Sequence, residues 1–369
     1  MSNINIHKKF MLLAQKISLS HAGYTYPNPS VGCVIVNFKN NYHGKIISYG
    51  KTGKGGRPHA EENALIKAGN KSFGSTMYLT LEPCNHNSKN DSCTNQIIKS
   101  GIKKVFIAKI DPDPRTNRKG IIKLRQRKIF VNVGLTKELT ENQNKFFFKS
   151  IKYKRPYIKV KMAISNDEKI AWSNYSSKWI SNNKSRKFAH KMRSKSQAIL
   201  TTSKTLIKDN PRFTVRENNK IIKFMPVVII DKNLKIPMSC NLLKNLNNRR
   251  IIIFTSINNK KFIKLKSMGC EVYLVKKNKK NNKFNLTLIM KKIFKLKIND
   301  ILIESGGIFF TELLSKKLVD EIHIFKAPFD IGNSGKSMII DKKIKDLSLE
   351  KITNKKFGKD VYHHFLINN

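Results

Sequence analysis

Apolar positions along this chain switch between two spacings. Over residues 1–19 they fall at Phe10, Leu13, Ala14 and Ile17, one stripe of an amphipathic helix. Tyr26-Pro27-Asn28-Pro29 reads as a turn, and residues 31–36 form a short continuous apolar run of the buried-strand kind. Residues 50–56 read as a glycine-rich loop. Ala60, Ala64, Leu65 and Ala68 make the next helical stripe, stopped by Gly69. A strand over 76–81, a helix over 94–100 and a strand over 105–110 continue the alternation. Such an order predicts a mostly parallel or mixed sheet sandwiched by helices.

A second alternation starts beyond a basic, irregular stretch at 149–155 that ends at Pro156. It predicts a strand over 157–164, a helix over 181–193 and a strand over 198–201. Further strands follow at 227–230, 251–254 and 301–303, while the Lys/Asn tract at 276–283 reads as an exposed loop. The boundary is therefore drawn near residue 150, giving domains at 1–150 and 151–369. Two domains suit a chain of 369 residues, and no internal repeat is visible.

Composition narrows the class. At 40% hydrophobic the chain can bury two cores, yet no apolar run approaches a membrane span, so no membrane partner is expected. The opening helix lacks a signal-peptide core. Five cysteines, an odd number without a framework spacing, favour a reducing cytoplasm over disulfides. The net charge of +49 points first to nucleic acid. Its lysines, however, are spread along the whole chain among Asn and Ile, as a solvated surface would be, which argues against a nucleic-acid partner. So many like charges predict stability that rises with salt.

The chemistry concentrates at His59-Ala60-Glu61, Pro83-Cys84 and Cys93. One imidazole and two thiolates hold Zn2+ while leaving a fourth position for water, whose pKa falls toward neutrality. Glu61, which is not a ligand, is placed to carry a proton from water to a leaving amine. Both elements fall at predicted helix N-termini, where partial positive charge favours thiolate. The spacing from Cys84 to Cys93 is longer than the C-x-x-C of deaminases acting on nucleosides or nucleic acid, which points to one branch of the zinc deaminases.

A second constellation lies later. The strand at 301–303 ends in Glu304-Ser305-Gly306-Gly307 before a helix pattern, a junction suited to a phosphate or simply to a tight turn. Thr205, Asp209 and Arg216 lie in a stretch read as a loop after a strand. They suit a phosphorylated sugar and a nucleotide, or else a capped helix with surface polar residues.

Together these segments resemble the bifunctional riboflavin-biosynthesis deaminase/reductase over nearly the whole chain, as far as Gly358-Lys359-Asp360-Val361. The resemblance implies an α/β chain with two domains. The first is a cytidine-deaminase-like three-layer α/β/α domain that needs Zn2+; the second is a dihydrofolate-reductase-like α/β domain that uses NADPH. The implied reactions are deamination of a phosphorylated diaminopyrimidinone and reduction of the product's ribosyl group to ribityl. By motif, His59, Cys84 and Cys93 are the metal ligands, Glu61 and Lys161 the catalytic groups, and Asn28 belongs to the substrate pocket. Ser177, Arg193, Phe213, Arg216 and Glu304 would meet substrate. Ala163, Trp179, Thr205, Asp209, Gly306 and Gly307 would meet NADPH. Asp111-Pro112-Asp113-Pro114 resembles the family's D-P-N-P segment, and the family implies a homodimer. The chain departs from it before Cys93, where Gly and prolines are replaced and Lys89 alone keeps a positive charge; without Arg's fork the contact there is looser.

The rival reading is a zinc-dependent RNA (tRNA) base deaminase with a basic C-terminal RNA-binding region. It accounts for the charge and the metal ligands but not for Glu304-Ser305-Gly306-Gly307 or the Thr205/Asp209/Arg216 set.

Overall fold

A computed structural model describes residues 3–86, 91–173, 180–339 and 349–367. The chain divides into two compact units, Met1–Lys154 and Arg155–Asn369. Among the described residues no helix is long and apolar enough to cross a membrane.

The first unit runs α1 (Asn3–Leu19), β1 (Gly32–Asn37), β2 (Lys45–Lys51), α2 (Ala60–Ala68), β3 (Thr76–Leu81), α3 (Cys93–Lys99) and β4 (Lys104–Lys109). It continues through α4 (Lys119–Gln126), β5 (Phe130–Val133), α5 (Lys137–Gln143) and α6 (Lys145–Tyr153). The sheet order is β2-β1-β3-β4-β5, antiparallel about β1 and parallel from β3 to β5. Strand alternation sorts side chains onto two faces. Cys33, Ile35, Met77, Leu79, Val105 and Ile107 pack with Ala60, Ala64, Ile97 and Leu124 of α2, α3 and α4. Val34, Val36, Tyr78 and Phe106 pack with Phe10, Met11 and Ala14 of α1. The result is three layers with the sheet in the middle.

Two expectations fail here. Residues 50–56 do not begin as a loop: Gly50 lies inside β2, and it is a glycine because a Cβ there would stand 2.1 Å from the Ala60 carbonyl oxygen of α2. That glycine serves helix-on-strand packing, which a single sequence does not display. The basic stretch after residue 148 is likewise not irregular, since α6 carries it to Tyr153 and buries Phe147 and Phe148 in the first core.

The second unit begins with β6 (Tyr157–Ile164), β7 (Lys169–Ala171), α7 (Asn183–Ser194), β8 (Ala198–Thr202), α8 (Ser203–Asp209), β9 (Thr214–Glu217) and β10 (Lys220–Phe224). Then come β11 (Val227–Ile230), β12 (Ile251–Thr255), α9 (Lys260–Ser267), β13 (Glu271–Leu274), α10 (Leu286–Lys295), β14 (Asp300–Ile303) and α11 (Gly307–Ser315). It ends with β15 (Glu321–Lys326), β16 (Lys336–Ser337), β17 (Leu349–Phe357) and β18 (Asp360–Ile367). The main sheet is β13-β12-β11-β8-β14-β6-β15-β18-β17, parallel as far as β15 and antiparallel at β18 and β17. Helices α10 and α11 cover one face, against Leu200, Val228 and Ile252. On the other face α8 and α9 pack Leu206, Phe262 and Leu265 over Ile199, Ile229 and Ile253. Asp360 of the C-terminal motif ties α7 to β18, accepting from Asn182 N at 2.8 Å and Ser185 Oγ at 2.6 Å. Of the two readings of the stretch after β8 the helical one holds: it is α8, so Thr205 and Asp209 stand on a helix and not in a loop.

Candidate functional site

In the first unit, β3 delivers Glu82-Pro83-Cys84 to the starts of two helices. His59 is the N-cap residue of α2 and Cys93 opens α3, whose N-cap Ser92 accepts from Asn95 N at 3.3 Å. His59 Nδ1 lies 3.2 Å from Cys93 Sγ and 3.7 Å from Cys84 Sγ, and the three ligating atoms all fall within 4.8 Å of one another. Tetrahedral zinc with bonds of about 2.0–2.3 Å sets ligand-to-ligand edges of about 3.3–3.8 Å, so this donor set fits the metal. Hydrogen bonding from the Cys93 thiol and from His59 pulls the Cys84 thiol below its ordinary pKa, against the effect of burial, which favours the thiolate form.

Glu61 stands in the first turn of α2, only 4% exposed. Burial raises its carboxyl above the ordinary value, with His59 opposing. Asn28 donates from Nδ2 to Gly56 O at 2.9 Å, bracing the turn that delivers His59. A Cβ on Gly56, at φ 90°, would stand 2.6 Å from that same amide nitrogen.

One residue of the site went unnoticed in the sequence. Glu82, 3% exposed, accepts from the backbone N–H of Asp111 (3.2 Å), Arg118 (3.0 Å) and Ile121 (3.3 Å), and so holds the 111–121 segment beside Cys84. Gly120 fits against it because a Cβ there would meet the Pro83 carbonyl at 2.6 Å. Burial, with Asp113 and Glu82 nearby, pushes Asp111 up to about 7. An acid immediately before Pro-Cys was the available signal for Glu82. Its partners are remote in sequence, so its role could not be read there. Lys89 lies outside the described residues.

In the second unit, register places β14 beside β6 with Ile303 opposite Val160, so Glu304 and Lys161 stand side by side. Arg193 of α7 reaches Glu304 through two bonds, Nε to Oε1 at 2.6 Å and Nη2 to Oε2 at 2.9 Å. Its Nη1 donates to Thr214 O at 3.2 Å, and its guanidinium lies 5.8 Å from the Phe213 ring centroid. Arg216, exposed, donates from Nε to Thr214 Oγ1 at 3.2 Å, and its backbone N–H donates to His190 Nδ1. Lys161, Arg193, Phe213, Arg216 and Glu304 are thus brought into one cluster. His190, one turn before Arg193 on α7, joins it unpredicted. Burial works against ionised Glu304, but Arg193 and Lys161 hold it at about 2. Burial lowers Lys161, with Glu304 partly opposing.

Thr201 Oγ1 donates to Glu304 O at 2.8 Å, joining the ends of the adjacent parallel strands β8 and β14, from which α8 and α11 begin. Open α/β sheets bind ligands at such carboxyl ends. Thr205 lies on α8, 3.4 Å from Thr202 Oγ1, and Asp209 is exposed at the helix end. The two glycines differ: a Cβ on Gly306 would meet nothing within 4 Å, whereas one on Gly307 would stand 2.6 Å from the carbonyls of Ser337 and Met338. Gly307 is therefore required by chain packing, and Gly306 is the one that faces open space. Ala163 on β6 packs by Ile180, Ala327 and Ile331. Ser177 and Trp179 lie outside the described residues.

Comparison with known proteins follows the same division. Residues 4–109 match the cytidine and deoxycytidylate deaminase zinc-binding region, and residues 156–363 match the RibD C-terminal domain. Riboflavin biosynthesis protein RibD of Aquifex aeolicus is 40% identical over 333 residues, covering 89% of this chain and 88% of its own. The Escherichia coli protein of the same name is 31% identical over 338 residues, covering 89% of each. The solved structure of Acinetobacter baumannii RibD has a TM-score of 0.87 at 25% identity, covering 100% of both chains. That of a Thermotoga maritima diaminohydroxyphosphoribosylaminopyrimidine deaminase/5-amino-6-(5-phosphoribosylamino)uracil reductase has a TM-score of 0.84 at 27% identity, again over 100% of both.

Proposed function

This chain belongs to the RibD family of riboflavin biosynthesis, and from that membership we propose how its residues divide two successive reactions. It is a bifunctional enzyme, a zinc-dependent deaminase and an NADPH-dependent reductase. The deaminase removes an amino group from the diaminopyrimidinone ribosylamine phosphate, and the reductase converts the ribosyl group of the resulting uracil to ribityl. The first reaction belongs to residues 1–150 and the second to residues 151–369.

His59, Cys84 and Cys93 would hold the zinc, which when bound would acidify the attacking water. Glu61 accepts that water's proton and returns it to the departing amine, a role its raised pKa supports. Asn28 walls the pyrimidine pocket. In the second unit a bound NADPH would supply hydride to the ribose carbonyl carbon. Lys161 donates a proton to the oxygen that gains charge there, with Glu304 keeping it protonated and meeting substrate hydroxyls. Arg193 is occupied by Glu304 and Thr214, so it positions Glu304, while exposed Arg216 takes the substrate phosphate. Ser177 and Phe213 complete the substrate contacts. Ala163, Trp179, Thr205, Asp209 and Gly306 line the NADPH side, with Gly307 beside them.

The observation that carries this reading is the convergence of His59, Cys84 and Cys93 beside buried Glu61. The test incubates purified protein with the diaminopyrimidinone phosphate and follows ammonia release and NADPH absorbance separately. Both are expected, and absence of both would overturn the reading. The rival RNA deaminase would need its basic C-terminal half for RNA, but that region is the RibD C-terminal domain. Binding of tRNA that survives moderate salt would favour it. A homodimer belongs to the proposal and is tested by light scattering. So does a cytoplasmic location, which the five free cysteines support.

A further inference from the structure

The second unit contains another convergence of metal-ligating side chains. Strands β15 and β18 pair antiparallel with His323 opposite His364, and Glu321 precedes His323 by one strand repeat on the same face. The two imidazoles stack with centroids 4.4 Å apart and planes 15° apart. Glu321 Oε2 lies 3.1 Å from His323 Nε2 and 3.5 Å from His364 Nε2, and the three ligating atoms all lie within 4.8 Å of one another. A tetrahedral ion with bonds of about 2.0–2.1 Å to nitrogen and oxygen has ligand edges of about 3.3 Å, which the two Glu321 separations bracket, and one of the near-parallel rings would turn for both Nε2 lone pairs to meet the ion.

The surroundings fit ligation too. Ligating imidazoles and carboxylates are held by outer hydrogen bonds to their remaining atoms. His323 Nδ1 lies 2.8 Å from Tyr362 Oη, and Glu321 Oε1 accepts from Tyr157 Oη at 2.8 Å. His364 Nε2, by contrast, is buried with no hydrogen-bond partner although it faces Glu321. Buried polar atoms are rarely left unmatched, and a metal ion would match this one. The adjacent cation, Lys159, bears on His323 but is itself paired, Nζ to Asp300 Oδ2 at 2.7 Å. Lys161 is the register partner of His323, but its charge partners are Glu304 and Arg193, so the cluster is not used by the reduction described above.

We propose that Glu321, His323 and His364 form a second site for a divalent transition metal, Zn2+ or one of similar nitrogen and oxygen preference such as Co2+. It clamps β15 to β18 and leaves one position for solvent. The proposal does not rest on the deaminase reading.

The test strips full-length protein with a chelator and refills it with Co2+. Wild type is expected to bind two equivalents. One would give the intense near-ultraviolet charge-transfer band of cobalt thiolate, and the other only weak visible bands of nitrogen and oxygen ligation. The His323→Gln, His364→Gln double variant should lose one equivalent and keep the thiolate band. The Cys84→Ser, Cys93→Ser double variant should lose that band, keep one equivalent and melt at a higher temperature with Co2+ than without. A single equivalent in wild type, carrying the thiolate band, would overturn the proposal whether or not either variant folds. Unchanged stoichiometry in the histidine variant would do the same.

Discussion

Arg193 grips Glu304 through two parallel hydrogen bonds of 2.6 and 2.9 Å where β14 ends. The pair is nearly sealed from water, so each charge depends on the other. Glu304→Ala strands the guanidinium and is expected to cost about 3–5 kcal/mol in denaturant unfolding. Glu304→Gln should cost less. The carboxyl is lowered from 4.5 to about 2, so its stabilisation is complete above the ordinary carboxylate value and fades as pH falls toward about 2. An acid-unfolding limb identical in wild type and Glu304→Gln would contradict this.

Lys161 is drawn below its ordinary pKa by burial. In the proposed role of proton donor it works when protonated, so reduction should fall on the alkaline side as pH rises through that lowered value. Glu304→Gln removes a charge that raises it and should move the limb to lower pH. Lys161→Ala is expected to lose about 10²–10⁴ in NADPH oxidation. Wild-type turnover in that variant would end the assignment.

Glu61 is not a ligand, so Glu61→Gln should bind zinc as wild type does. Its ammonia release should fall by about 10²–10⁴ while reduction of supplied deaminated product continues. Chelation should silence the same half-reaction alone. Metal analysis and the two assays on one preparation decide it.

Glu82 satisfies three backbone N–H groups at once. Gln offers one acceptor oxygen, so Glu82→Gln leaves donors unmatched and should destabilise the first unit by about 1–3 kcal/mol. Deamination should weaken and reduction persist. Unaltered melting and turnover would show that the segment needs no such support.

The paired glycines should separate in their effects. Gly307→Ala forces a methyl against the Ser337 and Met338 carbonyls and should cost about 1–3 kcal/mol, read as a lower Tm. Gly306→Ala has room in the protein and should leave Tm unchanged. If the NADPH phosphates approach Gly306, that variant should raise the KM for NADPH.

Much of this protein lies in local pattern. The opening helix, the strand after Pro29, the helix from Ala60 to its Gly69 stop and the buried strands of the second unit follow from apolar period and from breakers, which act over a few residues. His59, Glu61, Cys84 and Cys93 were legible because metal chemistry restricts the residue types, and each sits at a helix start or just after a strand. What remained hidden depends on close approach between remote segments. β2 was missed because Gly50 answers to a helix backbone that the sequence places elsewhere. In the C-terminal hairpin, β17 is rich in Lys and lacks an apolar run, and in β18 the paired histidines interrupt the apolar residues.

The sequence by itself determined the two-domain α/β plan and singled out His59, Cys84 and Cys93 together with Glu61, since these rest on residue type and short-range order. Tertiary structure alone decided that Arg193 serves Glu304 and that Glu82 carries the 111–121 segment. It also decided that Gly307 is packed while Gly306 is open, and that Glu321, His323 and His364 meet across paired strands. Each of these is a contact between residues far apart in the chain, fixed by strand register and helix docking, and directional bonds of that kind exist only once the sheet has formed.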